Sequence, residues 1–283
     1  MPTPILLDTD IGTDIDDAFA LALILRSPEL RLLGITTVSG NTQARARLAA
    51  KLVSTQGHCN VPVAAGEPGK SLPIAQTRWA SNFASRQLLP ETAVSFLDRQ
   101  FRRLPRQITL VAIGPLTNVA ALLGSDPTVG TKIRRIVMMG GSIARGYDHH
   151  VRPDPEYNIV SDVPAARVVF SSGVPIVMAP LDVTAMLALD AQQRRRVFER
   201  HAPLNQALAA LYRLWGHPVP VLYDPMAVSL LINLHLCRFR PLAVSVDEAG
   251  YTRVQAGKRP NAMVALHTGP ARFFDLYLRR VAP

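Results

Sequence analysis

Residues 5–23 read ILLDTDIGTDIDDAFALAL, and within ten of them stand five aspartates, Asp8, Asp10, Asp14, Asp16 and Asp17. Carboxylates this crowded repel one another, so they share a small volume only if a cation joins them or their pKa values move. An all-oxygen donor set selects a hard ion, Ca²⁺ or Mg²⁺, and argues against zinc. The spacing does not fit an EF-hand, whose loop needs its glycine and its final glutamate at other positions. A plainer use stays open for part of the set: Asp8 and Asp14 could orient turns or cap the helix while the others hold the ion.

A strand, a loop and a helix must present these residues, and the same unit recurs along the chain. Apolar runs rich in strand-forming residues occur at 5–7, 30–39, 61–66, 108–114, 133–141 and 174–180. Helical patterns lie at 16–26, 42–57, 91–103, 115–124, 162–172, 190–214 with a break near Pro203, 225–235 and 270–281. The alternation predicts an α/β fold, an open, mostly parallel, Rossmann-like central sheet flanked by helices. Asn118, Asp162 and Asp224 fall near helix starts, where side-chain oxygens can satisfy free N–H groups. Residues 241–268 change character and predict a short C-terminal strand extension. No repeat or linker is evident, so residues 1–283 read as a single domain. The segment 67–90, rich in Gly, Pro, Ser and Gln and carrying Trp79 and Phe83, reads as a long loop that could serve as a lid.

Composition narrows the function classes. The chain has 283 residues, 48% of them hydrophobic, enough to bury a substantial core. Its net charge of +10 comes from 31 Lys and Arg against 21 Asp and Glu. Nucleic-acid binding needs a localised basic stripe with interleaved aromatics, whereas QQRRR at 192–196 and RRLPR at 102–106 are short and aromatic-poor. The excess therefore reads as solvated surface, with no nucleic-acid partner. No apolar run approaches the roughly 18 residues of a membrane span, and the opening MPTPILLD lacks the basic start and apolar stretch of a signal peptide. A cytoplasmic protein without a membrane partner is expected. Cys59 and Cys237 lie far apart without CxxC spacing, which suggests neither a disulfide nor a zinc site.

In an open parallel sheet, ligands bind at the carboxyl ends of the strands. Polar residues follow the expected strands at Asp8 and Asp10, Ser39 and Asn41, the turn from Ile113 to Asn118, Gly140 to Ser142, and Asp182 and Thr184, all of which would share one rim. Asp16 and Asp17 begin the helix after the first strand, and its positive end favours them beside that rim.

DTDIGTDIDDA, followed in order by VSGN at 38–41, IGPLTN at 113–118, VMMGG at 137–141, EYN at 156–158, LDVT at 181–184 and YDPMAV at 223–228, resembles the inosine-uridine preferring nucleoside hydrolase family. The resemblance runs from residue 5 to the FFDLYLRR segment near the end. It implies hydrolysis of the N-glycosidic bond of a ribonucleoside, with Ca²⁺ held at the pocket floor. By position, Asp10 resembles the family's general base and metal ligand, and Asp17 and Asp224 further carboxylate ligands. Ile113 resembles the residue that gives a backbone carbonyl. Asp16, Asn41, Glu156 and Asn158 resemble the ribose binders, with Met139 against the sugar and Asp8 behind the ligands. The resemblance also implies a homodimer or homotetramer.

Two departures bear on the chemistry. Thr13-Asp14-Ile15 precede the Asp16-Asp17 pair where many relatives are shorter, so Asp14 is an alternative contact for metal or sugar. Tyr223 stands where several relatives carry a histidine that protonates the departing base; a phenol is a weaker acid but still donates a hydrogen bond. His149, His150 and His217 are the other candidates for that task. Base contacts are expected from the variable segments 67–90 and 143–155 and from helix 203–215, where Trp215 is a stacking candidate. Two rival readings stand beside this one. A haloacid dehalogenase-type phosphatase shares the strand ending in D-x-D, and a nucleoside- or ribose-binding protein would keep the ion without turnover.

Overall fold

A computed structural model describes residues 1–70, 74–126 and 128–283. Strands β1 (Thr3–Thr9), β2 (Leu30–Thr37), β3 (Val63–Ala65), β4 (Thr109–Ala112), β5 (Arg135–Met139), β6 (Ile176–Ala179), β7 (Cys237–Leu242) and β10 (Ala262–Thr268) form an eight-stranded sheet in the order β3-β2-β1-β4-β5-β6-β10-β7. Every pairing is parallel except β10 with the edge strand β7. A separate antiparallel hairpin joins β8 (Val244–Val246) and β9 (Thr252–Val254). The expected parallel sheet is therefore present. The C-terminal extension divides between its far edge and this hairpin.

The strands are apolar on both faces because helices cover both. Successive residues of β1 enter opposite cores: Ile5 and Leu7 pack beneath α1 (Asp16–Leu25) and α2 (Thr42–Ser54), whereas Leu6 packs beneath α3 (Ala93–Arg103) and α4 (Thr117–Ser125). The first face is completed by α8 (Ala191–Phe198), α9 (Pro203–Trp215), α10 (Tyr223–Ile232) and α11 (Pro270–Val281), the second by α6 (Val163–Ser171). Helix α1 is buried along residues 16–24, so it is apolar all round after its first turn. The pattern read over 190–214 with a break near Pro203 is two helices, the first opened by the Asp190–Gln193 capping box and the second by Pro203 at its first position. Gly216, at φ 80°, ends α9 in the left-handed conformation that glycine adopts without a steric penalty.

Two short helices, α5 (Tyr157–Val160) and α7 (Leu181–Thr184), escaped the sequence reading because four residues carry no periodicity. In the segment 67–90, residues 71–73 lie outside the described residues, and the remainder contains a 3-10 helix over Ala75–Ala80. Trp79 and Phe83 pack against the core, and Gln76, fully buried, donates to the carbonyl of Asp14 at 2.7 Å. This part of the loop is thus tied to the aspartate segment instead of standing over it.

The order reverses between β1 and β4, and the connections leaving these neighbours diverge to opposite faces, which opens a crevice at their carboxyl ends. Close packing just beside that crevice leaves no room at Gly66. A Cβ there would lie 2.4 Å from Asn118 Oδ1 and 2.6 Å from the Thr37 carbonyl oxygen. Gly66→Ala is expected to destabilise the protein by about 1–3 kcal/mol through overpacking, read as a lower urea midpoint at unchanged slope. An unaltered midpoint would show that Asn118 and the β2 end can yield.

Candidate active site

The crevice holds a cavity of about 270 Å³. Asp10, Asp14, Asp16 and Asp17 line it from the β1–α1 connection, Ile113 from the end of β4, and Met139 from the end of β5. Glu156, Tyr157 and Asn158 enter from the start of α5, and Tyr223 and Asp224 from the start of α10, with Tyr147 closing one side. Of the residues assigned to the site from the sequence, the structure brings together all but Asn41. That side chain is exposed and accepts from the Ala44 amide at 3.0 Å, so it caps α2 and does not face the cavity.

At the floor, Asp16, Asp17 and Asp224 are each at least 95% buried, and each offers a carboxylate oxygen within 4.8 Å of the others. Two oxygens bound to one Ca²⁺ at 2.3–2.6 Å can be at most about 5 Å apart, so the trio fits a single hard cation in number, type and spacing. The family resemblance gives Asp16 to the sugar and Asp10, Asp17, Asp224 and the Ile113 carbonyl to the ion. Here Asp16 joins the acidic trio, its Oδ2 accepting from the Asp224 amide at 3.1 Å, and Asp10 lines the same cavity outside it. Asp14, half-buried, accepts from the Ile15 amide at 2.6 Å at the cavity wall.

Other contacts fix the walls. Glu156 accepts from the amides of Gly141 and Asn158, both at 2.9 Å, so its carboxylate is held against the end of β5. Asn158 donates to the carbonyls of Ile113 and Met139, both at 3.2 Å, which ties the ends of β4 and β5 to α5. The glycine of IGPLTN has a steric reason: a Cβ on Gly114 would lie 2.9 Å from both the amide and Oδ1 of Asp10.

Burial dominates the electrostatics. It raises the Asp10 carboxyl to about 6 against the pull of Arg45, and raises Glu156 to about 7 against three backbone amides. Asp16, Asp17 and Asp224 stand well above the ordinary carboxylate range, first through desolvation and then through the charges of neighbouring aspartates: Asp14 foremost for Asp16, Asp10 for Asp17 and Asp16 for Asp224. A cation among them would reverse the sign of this environment. Burial, then the charge of Asp16, keeps the Tyr223 phenol protonated; its ring meets Tyr147 edge-on at 6.2 Å.

Several supporting residues went unread in the sequence. Thr9 donates its hydroxyl to Asp17, and Arg45, 3% exposed, donates to the carbonyls of Asp10 and Ile11. Asn118 is not a cap: it lies within α4 and donates to Asp8 at 2.8 Å and to the Thr37 carbonyl at 3.1 Å. Asp162 does cap α6, accepting from Ala165, while Asp224 sits in the first turn of α10.

The remaining candidates lie elsewhere. Asp182 accepts from the amides of Ile143 and Ala144, His149 approaches its carbonyl at 3.3 Å, and His150 pairs with Asp154. His217 packs on Trp215 at 4.8 Å between ring centroids. None of the three histidines, nor Trp215, lines the cavity.

A doubly wound parallel sheet with buried carboxylates at its switch point defines an α/β protein with a small-ligand site in the crevice at its strand ends. The chain belongs to the inosine-uridine preferring nucleoside hydrolase family, whose model matches residues 5–275. It is an N-glycosidic hydrolase of the ribonucleoside hydrolase class. Pyrimidine-specific ribonucleoside hydrolases RihA of Citrobacter koseri and of Salmonella paratyphi B are 34% and 33% identical, over 100% and 99% of this chain and 99% of theirs. A purine-preferring ribonucleoside hydrolase from Gardnerella vaginalis superposes with a TM-score of 0.84 at 26% identity, covering 99% of this chain and 98% of its own. A plant nucleoside hydrolase shares the fold at a TM-score of 0.89 and 24% identity, covering 100% and 99%. Family membership removes the phosphatase reading of ILLDTD. Among the described residues, no helix is long and apolar enough to cross a membrane.

Asp8 gives a pH test apart from the cation. Its Oδ1 accepts from Thr36 at 2.5 Å and from Asn118, its Oδ2 has no partner, and burial raises its carboxyl to about 7. Because the folded pKa lies above the unfolded 3.8, the folded state binds the extra proton between them, and stability falls as pH rises through that window. Relative to Asp8→Asn, wild type is expected to lose stability from about pH 4 to pH 7 and then level off, by on the order of 4 kcal/mol at most. Urea denaturation at stepped pH measures the difference; a flat difference would place the proton elsewhere.

Proposed function

We propose that this hydrolase is Ca²⁺-dependent and that Asp10 is its general base. The observation that carries the reading is the floor of three buried carboxylates in one sugar-sized cavity. Asp16, Asp17 and Asp224 would hold the ion, with Asp10 and the Ile113 carbonyl beside it. Such an ion would supply Lewis acidity to a water and to ribose hydroxyls in the cavity.

The protein's own groups do the rest. Asp10, which lines the cavity beside the acidic floor, accepts the water's proton, and a cation on that floor would favour the charged carboxylate this requires. Glu156 and Asn158 bind ribose hydroxyls, and Met139 packs against the sugar, which holds C1′ in line with the water. As the C1′–N bond lengthens, the ring gains oxocarbenium character that the surrounding carboxylates stabilise. Tyr223, protonated and beside Tyr147, donates to the departing base. Pyrimidine ribonucleosides are the proposed substrates, on the strength of the pyrimidine-specific relatives at 33–34% identity. The subunits would work as a homodimer or homotetramer.

Incubation with uridine, cytidine and inosine, with free ribose as the readout, is expected to show turnover fastest on the pyrimidines, abolished by chelation and restored by Ca²⁺. Nucleoside bound without ribose released would instead support a binding protein. Asp10→Asn is expected to keep the fold and to lower turnover at least about a hundredfold, the scale of general-base catalysis. Full activity in that variant would remove Asp10 from the role. Tyr223→Phe is expected to lower kcat more than it raises KM, since its hydroxyl acts on the leaving base in the transition state; equal kcat would leave the phenol a wall.

A further inference from the structure

Arg45 is a buried cation with no carboxylate partner in salt-bridge range among the described residues. A lone internal guanidinium is costly unless its donors are satisfied, and here main-chain carbonyls take the Nε and Nη1 donors. Nε donates to Ser39 at 2.8 Å, and Nη1 donates to Ile11 at 3.1 Å and to Asp10. Ser39 belongs to the β2–α2 turn, where it and Gly40 both hold left-handed conformations at φ 70° and 61°. Asp10 and Ile11 belong to the β1–α1 connection. One side chain, one turn into α2, therefore clasps the β1–α1 connection, which lines the acidic cavity, to the β2–α2 turn.

We propose that Arg45 is a positioning residue of the cation site, a strut whose guanidinium fixes the main chain at Asp10 and Ile11 and so aims the aspartates of the β1–α1 connection at one ion. The inference rests on the Ca²⁺ reading above. A strut and a mere counter-charge predict opposite results. A positive charge beside the site repels a cation, so if charge were its whole effect, Arg45→Gln would bind Ca²⁺ more tightly and Arg45→Lys would bind as wild type does. A strut needs the planar fork, which neither lysine nor glutamine can reproduce across three carbonyls.

The test measures Ca²⁺ binding by calorimetry in wild type, Arg45→Lys and Arg45→Gln, with hydrogen exchange of the same proteins in chelator. Both variants are expected to bind Ca²⁺ at least about tenfold more weakly, and the amides of Ile11, Gly12 and Gly40 to exchange at least about tenfold faster while those of α4 and α6 keep their protection. Should Arg45→Gln fail to fold, Arg45→Lys alone decides. Wild-type affinity and loop protection in Arg45→Lys, or tighter binding in Arg45→Gln, would overturn the strut and leave the Ca²⁺ reading standing. A wild-type protein that binds no Ca²⁺ would sink both.

Discussion

Everything at this site follows from bringing like charges together out of water. Asp16, Asp17 and Asp224 each bear the desolvation of burial and, on top of it, the charge of neighbouring aspartates, Asp10 and Asp14 among them in every case. A fold does not tolerate such an arrangement for stability's sake, and the surroundings have to over-determine it. The parallel sheet provides that rigidity. Its reversal between β1 and β4 sets two loops side by side, and the apolar cores on both faces leave those strand ends no freedom to spread.

Around the acidic floor the polar contacts form a frame that runs through the backbone. Asn158 joins the ends of β4 and β5, Asn118 joins β1 to β2, and Arg45 joins the loops beyond β1 and β2. Each uses a side chain on a helix to hold main chain at a strand end. The carboxylates thus take their directions from elements that are themselves locked by packing, the condition under which a site can be preorganised for charge that develops later in a reaction.

Much of this was legible in the sequence, for identifiable reasons. Long elements, such as α1, α2 and the β1–β2 pair, declare themselves through extended apolar stretches, which for α1 and the two strands run continuously because they are buried on two faces. The acidic segment declares itself because its charge has no structural use on the surface. What stayed hidden was direction. Asn41 and Asp162 are chemically alike as helix-start residues, and both turn out to be caps, whereas Asn118, just inside α4, reaches 110 residues back to Asp8. Likewise nothing in RAR at 45–47 says that Arg45 is enclosed, since helical phase alone does not give the length of side chain that a neighbouring loop will accept.

The contact between Asp224 and Asp16 spans 208 residues of chain. A ribosome that has already delivered the aspartate-rich opening has delivered no working pocket, because the closing carboxylate arrives only with α10, in the last quarter of synthesis. The nascent polypeptide therefore cannot complete the acidic floor until α10 has been made and packs on α1.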